Sequence, residues 1–319
     1  MQRRIRSGGD TMGAMLSPHD KHAWLELLRR DVEAFNAQRS ALPHPTRIDL
    51  RGADLAGLDL GRAMLGWCDL TEARLAGARV DALALVRSRL QGADLTDIEV
   101  IDPEQRERLE LIRCLWDDVG LFNARRRSPC PNLISADLSG ADLGGANLGS
   151  VVLDRANLEG ADLSRADLAE TALADANLER ARFAGNVLKA TDMRRSRLAG
   201  ADFTGAKLKF VRLDRAHLDG ANFERAVFDT CPMQDAEGRG VSFRAATWRS
   251  IFPICASLPE ADFSGASFER VRFTETRLRG ARFAGASARA LEFRRADLEG
   301  ADLESMTGEP PTFEDVVGH

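Results

Sequence analysis

The 319 residues, 44% hydrophobic and 29% charged with a formal net charge of −5, suffice for a sizeable core and call for no polyanion partner. Five cysteines (Cys68, Cys114, Cys130, Cys231 and Cys255) are odd in number and lack C-x-x-C spacing, so they read as small apolar filler, not as metal or redox centres. No apolar run reaches membrane-spanning length and the first thirty residues lack a signal-peptide stretch, so a cytoplasmic protein with no membrane partner is expected.

Residues 1–45 read as an N-terminal tail and a capping helix. Ser17-Pro18 offers an N-cap and a first-turn proline, and Leu25, Leu28, Val32 and Phe35 form an apolar stripe, predicting a helix over 18–39. Residues 46–96 then carry a five-residue rhythm. Residues 97–131 repeat the opening: Asp31-Val32-x-x-Phe35-Asn36-Ala37-x-Arg39 recurs 87 positions later as Asp118-Val119-x-x-Phe122-Asn123-Ala124-x-Arg126. A second helix is predicted over 103–126, with Asp102-Pro103 at its start. Gly52-Ala53-Asp54-Leu55 likewise recurs 88 positions later as Gly140-Ala141-Asp142-Leu143. The unit of helix, proline linker and repeats therefore occurs twice. The first repeat stretch makes roughly two and a half coils, short of the about three that stacked repeats need. One continuous solenoid is expected, with 97–131 leaving it as a helical excursion and both helices covering open ends or sides.

Residues 132–306 hold the main repeats. Leu138, Leu143, Leu148, Leu153, Leu158, Leu163, Leu168, Leu173 and Leu178 are five apart, usually with alanine two before each. Phe183, Phe203, Phe223, Phe243, Phe263 and Phe283 are twenty apart. A coil that closes every twenty residues stacks such rings in one interior ladder, and five-residue sides give it four faces. Glycine follows two of the four columns of central residues and avoids the other two, so the corners are expected to differ in turn type. Around 230–258 the motif degrades, with Gly238 and Pro253 at central positions, yet the phase holds. A distorted coil is expected there, with binding of a partner as one use for it. Residues 307–319 read as a C-terminal tail without a clear dimerisation helix, and the oligomeric state stays open.

Runs such as Ala136-Asp137-Leu138-Ser139-Gly140 and Ala161-Asp162-Leu163-Ser164-Arg165 resemble the A-(D/N)-L-x-x unit of pentapeptide-repeat proteins. The resemblance implies an all-β solenoid: a right-handed quadrilateral β-helix with the central Leu or Phe and the preceding small residue inside. Members of that family that resemble DNA in shape bind type II topoisomerases and protect them from inhibitors. The resemblance thus raises protection of DNA gyrase, in antibiotic resistance or self-immunity, as the leading specific function.

Nothing in the sequence points to an enzyme or a cofactor. His19, His22, His44, His217 and His319 are scattered, and no phosphate-binding loop, H-E-x-x-H or nucleophile elbow occurs. The Asp and Asn residues before each central Leu read as turn-backbone acceptors. Charge separates the remaining readings. Residues 135–179 hold nine acidic side chains against Arg155 and Arg165, and Asp142, Asp162, Asp167, Asp175 and Glu179 form the candidate acidic interaction face. Residues 180–215 hold a candidate basic belt of Arg180, Arg182, Arg194, Arg195, Arg197, Lys207, Lys209, Arg212 and Arg215, together with Lys189. A DNA mimic needs a sustained negative surface, and a nucleic-acid binder would use the belt. The third reading is an adaptor or effector scaffold with a protein partner and no topoisomerase role.

Overall fold

The structure, a computed structural model, describes residues 15–43, 46–102, 105–126 and 131–318; Cys130 and Pro103 lie outside them. Each five-residue unit turns its first and third side chains inward and its second outward, so the chain advances a quarter coil per unit. Residues twenty apart pair in parallel, as in Asp142↔Asp162 and Leu188↔Leu208. The result is a β-solenoid of about 13 turns. Strands in the first stretch are β1 (Ile48–Asp49), β2 (Asp59–Leu60), β3 (Cys68–Asp69), β4 (Arg79–Val80) and β5 (Glu99–Val100). Those of the second are β6 (Val187–Lys189), β7 (Lys207–Lys209), β8 (Val227–Asp229), β9 (Thr247–Arg249), β10 (Ser267–Thr274), β11 (Ser287–Arg294), β12 (Thr307–Gly308) and β13 (Thr312–Glu314). The last two pair with β11, so the segment expected as a tail extends the coil.

The six phenylalanines of the ladder are fully buried. Phe183 and Phe203 stack at 4.4 Å with ring planes 3° apart, and the contacts continue at 4.6, 5.3, 5.0 and 4.9 Å to Phe283. The second, third and fourth faces follow the Phe face around the coil, centred in turn on columns such as Leu188–Leu208–Phe228–Trp248, Leu213–Met233–Pro253–Phe273 and Leu198–Leu218–Gly238–Leu258. Two further aromatic columns fill the coils near the C-terminus. Phe228, Trp248 and Phe268 stand on the second face, and Phe273, Phe293 and Phe313 stack at 5.4 and 5.6 Å on the third.

The corners differ from expectation. Positive φ occurs at all four: Gly140 (+76°), Gly145 (+82°), Ser150 (+58°) and Arg155 (+59°) stand on successive corners. Glycine therefore marks two columns without being required by their backbone alone. In the first coils of the second stretch all four corners close with an i+3 N–H to i carbonyl bond, as from Ala146 to Leu143, Val151 to Leu148, Ala156 to Leu153 and Ala161 to Leu158. The bends at Ala190, Phe210, Thr230 and Ser250 instead follow the three-residue strands β6 to β9.

Each expected helix is two helices hinged at an aspartate: α1 (Lys21–Arg30) and α2 (Val32–Ala41), then, after the short unforeseen α3 (Ala82–Val86), α4 (Arg106–Asp117) and α5 (Val119–Arg125). Asp31 (φ −155°) ends α1 and caps α2 by accepting from Ala34 N–H; Asp118 (φ −156°) does the same with Leu121 N–H. The Ser17-Pro18 turn precedes the first helix, whose N-cap is Asp20.

These helix pairs solve the problem of an open coil edge. In the solenoid each unit donates and accepts across to the coils above and below, so a first coil leaves backbone groups unpaired. The helices supply them. Lys21 donates to Arg51 O, Arg29 to Asp54 O (2.7 Å), Asn36 to Arg62 O (2.9 Å) and Arg39 to Gly66 O (3.1 Å), while Met64 N–H donates to Asn36 Oδ1 (2.8 Å). The second module repeats all five contacts, with helix residues 87 positions on and coil residues 83 on. Arg108 donates to Ile134 O, Trp116 to Asp137 O (3.1 Å), Asn123 to Gly145 O (2.9 Å) and Arg126 to Gly149 O (2.7 Å), and Asn147 N–H donates to Asn123 Oδ1 (2.7 Å). The sequence duplication is a duplicated cap.

The cap of the second module lies between two cores. Leu109 packs into the first, and Leu111, Ile112, Leu115 and Phe122 into the second. Its α4 also terminates the first stretch, where Asp117 accepts from Gly92 N–H (3.0 Å) and Arg106 donates to Ile98 O (2.9 Å). The stretches meet directly where Asp137 N–H donates to Val86 O (3.0 Å) and the buried Asp137 carboxylate pairs with Arg47 at 2.6 Å.

Candidate interaction faces

Twenty-residue register decides which charges share a surface, and it separates the acidic residues singled out from the sequence. Asp142 and Asp162 stand on the Phe face, Asp167 on the second, Asp175 at the corner between the third and fourth, and Glu179 on the fourth. The basic belt runs around the whole coil: Arg182 on the Phe face, Lys207 and Lys209 on the second, Arg194 and Arg212 on the third, Arg197 on the fourth, and Arg180, Arg195 and Arg215 at corners.

The two sets meet across neighbouring coils. Asp162 pairs with Arg182 (3.3 Å), Asp175 with Arg195 (2.7 Å), Glu159 with Arg180 (3.5 Å), and Glu179 with Arg197. Higher in the belt, Arg194 and Arg212 both reach Asp192 (2.6 and 3.8 Å), Lys209 reaches Asp229 (3.6 Å) and Arg215 reaches Asp235 (3.4 Å). Asp142 and Asp167 instead accept local backbone N–H groups, from Gly144 (2.9 Å) and Ala169 (3.0 Å). These exposed pairs add little stability each, but they cancel field at the surface.

Hydrogen bonds from Arg195 hold the Asp175 carboxyl below the ordinary range, and the Ser164 hydroxyl, then Arg182, does so for Asp162. A depressed folded-state value contributes stability above the unfolded value and loses it as pH falls through the folded one. Asp175→Asn is therefore expected to make the melting temperature less sensitive to acidification below about pH 4, measured as melting curves of both proteins from neutral pH downward.

The surface changes character on the third face. Pro232 has no N–H for the coil below and Pro253 none for the coil above, so the ladder that runs through Asp192↔Arg212 resumes only at Ile254↔Thr274. Here the outward positions are apolar: Phe252 is 53% exposed, Ile254 41%, and Phe210 at the adjoining corner 45%. A hollow of about 330 Å³ lies beside Phe252, walled by Arg270, Arg272 and Pro310. The distorted coil is thus a proline-interrupted apolar patch, and its exposed residues could have been read from their outward positions in the five-residue unit.

Cysteine placement departs from expectation at one position. Burial pushes the Cys68 and Cys231 thiols up to about 12, and Cys114 is also buried, but Cys255 is exposed at a corner with φ +55°. Iodoacetamide on the native protein is expected to alkylate Cys255 and spare Cys68, Cys114 and Cys231, as read by peptide mass spectrometry. Among the described residues no cluster of potential metal ligands occurs, and no helix is long and apolar enough to cross a membrane.

Comparison with known proteins agrees with this geometry. The family described as Pentapeptide repeats matches in eight copies, over residues 48–82, 132–168, 161–200, 196–235, 254–285 and 266–304. No curated protein matches the chain. Among solved structures, a trypsin-treated variant of QnrB1, a plasmid-mediated fluoroquinolone resistance protein, is 16% identical over 53% of this chain and 90% of its own, with a TM-score of 0.38. HetL, involved in heterocyst differentiation regulation in the cyanobacterium Nostoc sp. strain PCC 7120, is 27% identical over 60% and 89%, with a TM-score of 0.22. Rfr23 from the cyanobacterium Cyanothece 51142 is 17% identical over 37% and 91%, with a TM-score of 0.22.

Proposed function

The chain belongs to the pentapeptide-repeat family, and on that footing we propose that it is a non-enzymatic interaction protein that holds a protein partner against its third face. The observation that carries this reading is the contrast between faces. Where charges are dense they are largely matched across coils, and where the ladder breaks the rod exposes Phe252, Ile254 and Phe210. Exposed aromatic and aliphatic groups beside a hollow suit a desolvated protein contact. Site-specific photocrosslinking tests it. A benzophenone side chain at position 252 is expected to capture a discrete protein partner in cells, and one at position 222 on the Phe face is not. Equal yields at the two positions would remove the third face from the account.

Protection of a type II topoisomerase is the specific form of this reading that the sequence raises. Mimicry of DNA would require the acidic coils to present unneutralised charge, whereas Asp162, Asp175 and Glu179 already hold arginines. In our reading a topoisomerase partner would be gripped through the apolar patch. Binding of nucleic acid through the belt is disfavoured on the same ground, since most of its cations are engaged with carboxylates. A supercoiling assay with DNA gyrase, with and without a fluoroquinolone, identifies or removes this partner.

A further inference from the structure

The two caps use the same five contacts, so the places where they differ stand out. Arg126 makes three hydrogen bonds: it donates to Asn147 O (2.8 Å), Asn147 Oδ1 and Gly149 O (2.7 Å). Its counterpart Arg39 has methionine, Met64, where Asn147 stands, and among the described residues donates to Gly66 O alone. Arg39 is 7% exposed and has no carboxylate partner among the described residues. One coil corner along, Trp67 (φ +65°) occupies the position of Ser150 (φ +58°). A bulky side chain in the left-handed region costs backbone strain, which persists when the surroundings hold it in place.

Arg39, Met64 and Trp67 line one hollow of about 560 Å³ between the end of α2, the first coil and α3. Arg62 and Arg87 line it as well, neither in an ion pair among the described residues, and Leu83 (44% exposed) and Met64 (48%) supply an apolar rim. Asp81, the carboxylate in its lining, is turned to Leu83 N–H at 2.9 Å. Three guanidinium groups outside ion pairs among the described residues stand beside an indole and two apolar side chains.

We propose that this hollow binds an acidic peptide segment of a protein partner, with its carboxylates on Arg39, Arg62 and Arg87 and an apolar side chain against Trp67, Met64 and Leu83. Planar guanidinium forks favour carboxylates, and the apolar rim excludes water from the contact. The proposal rests on the interaction reading above and adds a second contact to it, at the opposite end of the rod from the third-face patch.

Selection of a random displayed peptide library on the full chain tests it, followed by titration of the enriched peptides with the Trp67 indole N–H signal as reporter. Enriched peptides are expected to carry an acid next to an apolar residue and to shift that signal. They should bind R62A/R87A at least tenfold more weakly. Trp67→Gly should weaken them similarly without unfolding the protein, because glycine accepts φ +65° freely. Peptides that bind wild type and R62A/R87A equally would overturn the hollow and leave the interaction reading in place. Displacement of the peptides by millimolar inorganic phosphate would also overturn the peptide assignment. A chain that enriches no peptide on any surface would count against both readings.

Discussion

Phe223→Ala should lower the unfolding free energy by about 3–5 kcal/mol. Phe223 is fully buried between Phe203 at 4.6 Å and Phe243 at 5.3 Å, with ring planes tilted by 14° and 10°, and touches Phe228 at 5.2 Å. Removing its ring leaves a gap in the middle of a stack whose neighbours are fixed to their own coils by the ladder. They cannot close over it without breaking register, so the cavity part of the cost should be felt in full. Urea unfolding followed by far-UV circular dichroism measures the effect. Arg195→Ala on the exposed corner, which loses one solvent-screened pair with Asp175, should leave the urea midpoint close to that of the wild type.

Gly238→Leu is expected to destabilise by about 1–3 kcal/mol, or more, although it restores the residue that the repeat pattern calls for. Position 238 is the centre of its unit on the fourth face, between Leu218 and Leu258. A Cβ there would stand 2.7 Å from Leu218 Cβ and 2.7 Å from Val241 Cγ2, and 3.0 Å from the Leu218 carbonyl carbon. The coil is drawn in at this point, while Trp248, fully buried on the second face of the next coil, fills the interior in place of a leucine. A rise in the urea midpoint on introducing leucine would show that the coil can relax and that Gly238 is a defect, not a fit.

Much of this architecture is legible in the sequence because its determinants are local and periodic. A five-residue unit fixes which side chains point inward, and a twenty-residue closure fixes which residues stack, so the Phe183–Phe283 ladder follows from spacing alone. The same spacing is present at Phe273, Phe293 and Phe313 and at Phe228, Trp248 and Phe268, where mixed residue types on new columns hide it. Scattering of the acidic residues is also implicit: Asp162, Asp167 and Asp175 differ by five and eight, which places them on different sides of the coil. Glycine misleads at the corners, since Ser150, Arg155 and Phe210 take positive φ without it. The hinges at Asp31 and Asp118 lie inside otherwise helical patterns, and only the extended backbone at the aspartate, φ −155° and −156°, reveals them. Least legible is the hollow around Trp67, because it joins α2, a coil corner and α3, three segments whose proximity depends on how the cap seats.

DNA mimicry and a grip through the apolar third face make opposite demands on the acidic coils: the first needs their free carboxylates and the second does not. Asp142 and Asp167 are carboxylates of the acidic coils outside ion pairs among the described residues, so Asp142→Asn with Asp167→Asn removes charge that mimicry could use, while asparagine still accepts the turn hydrogen bonds. The measurement is DNA gyrase supercoiling under a fluoroquinolone across a titration of wild-type and doubly substituted protein. Superimposable curves are expected for the two. Rescue of supercoiling by the wild type that disappears in the double variant would contradict the apolar grip and make the rod a mimic of DNA.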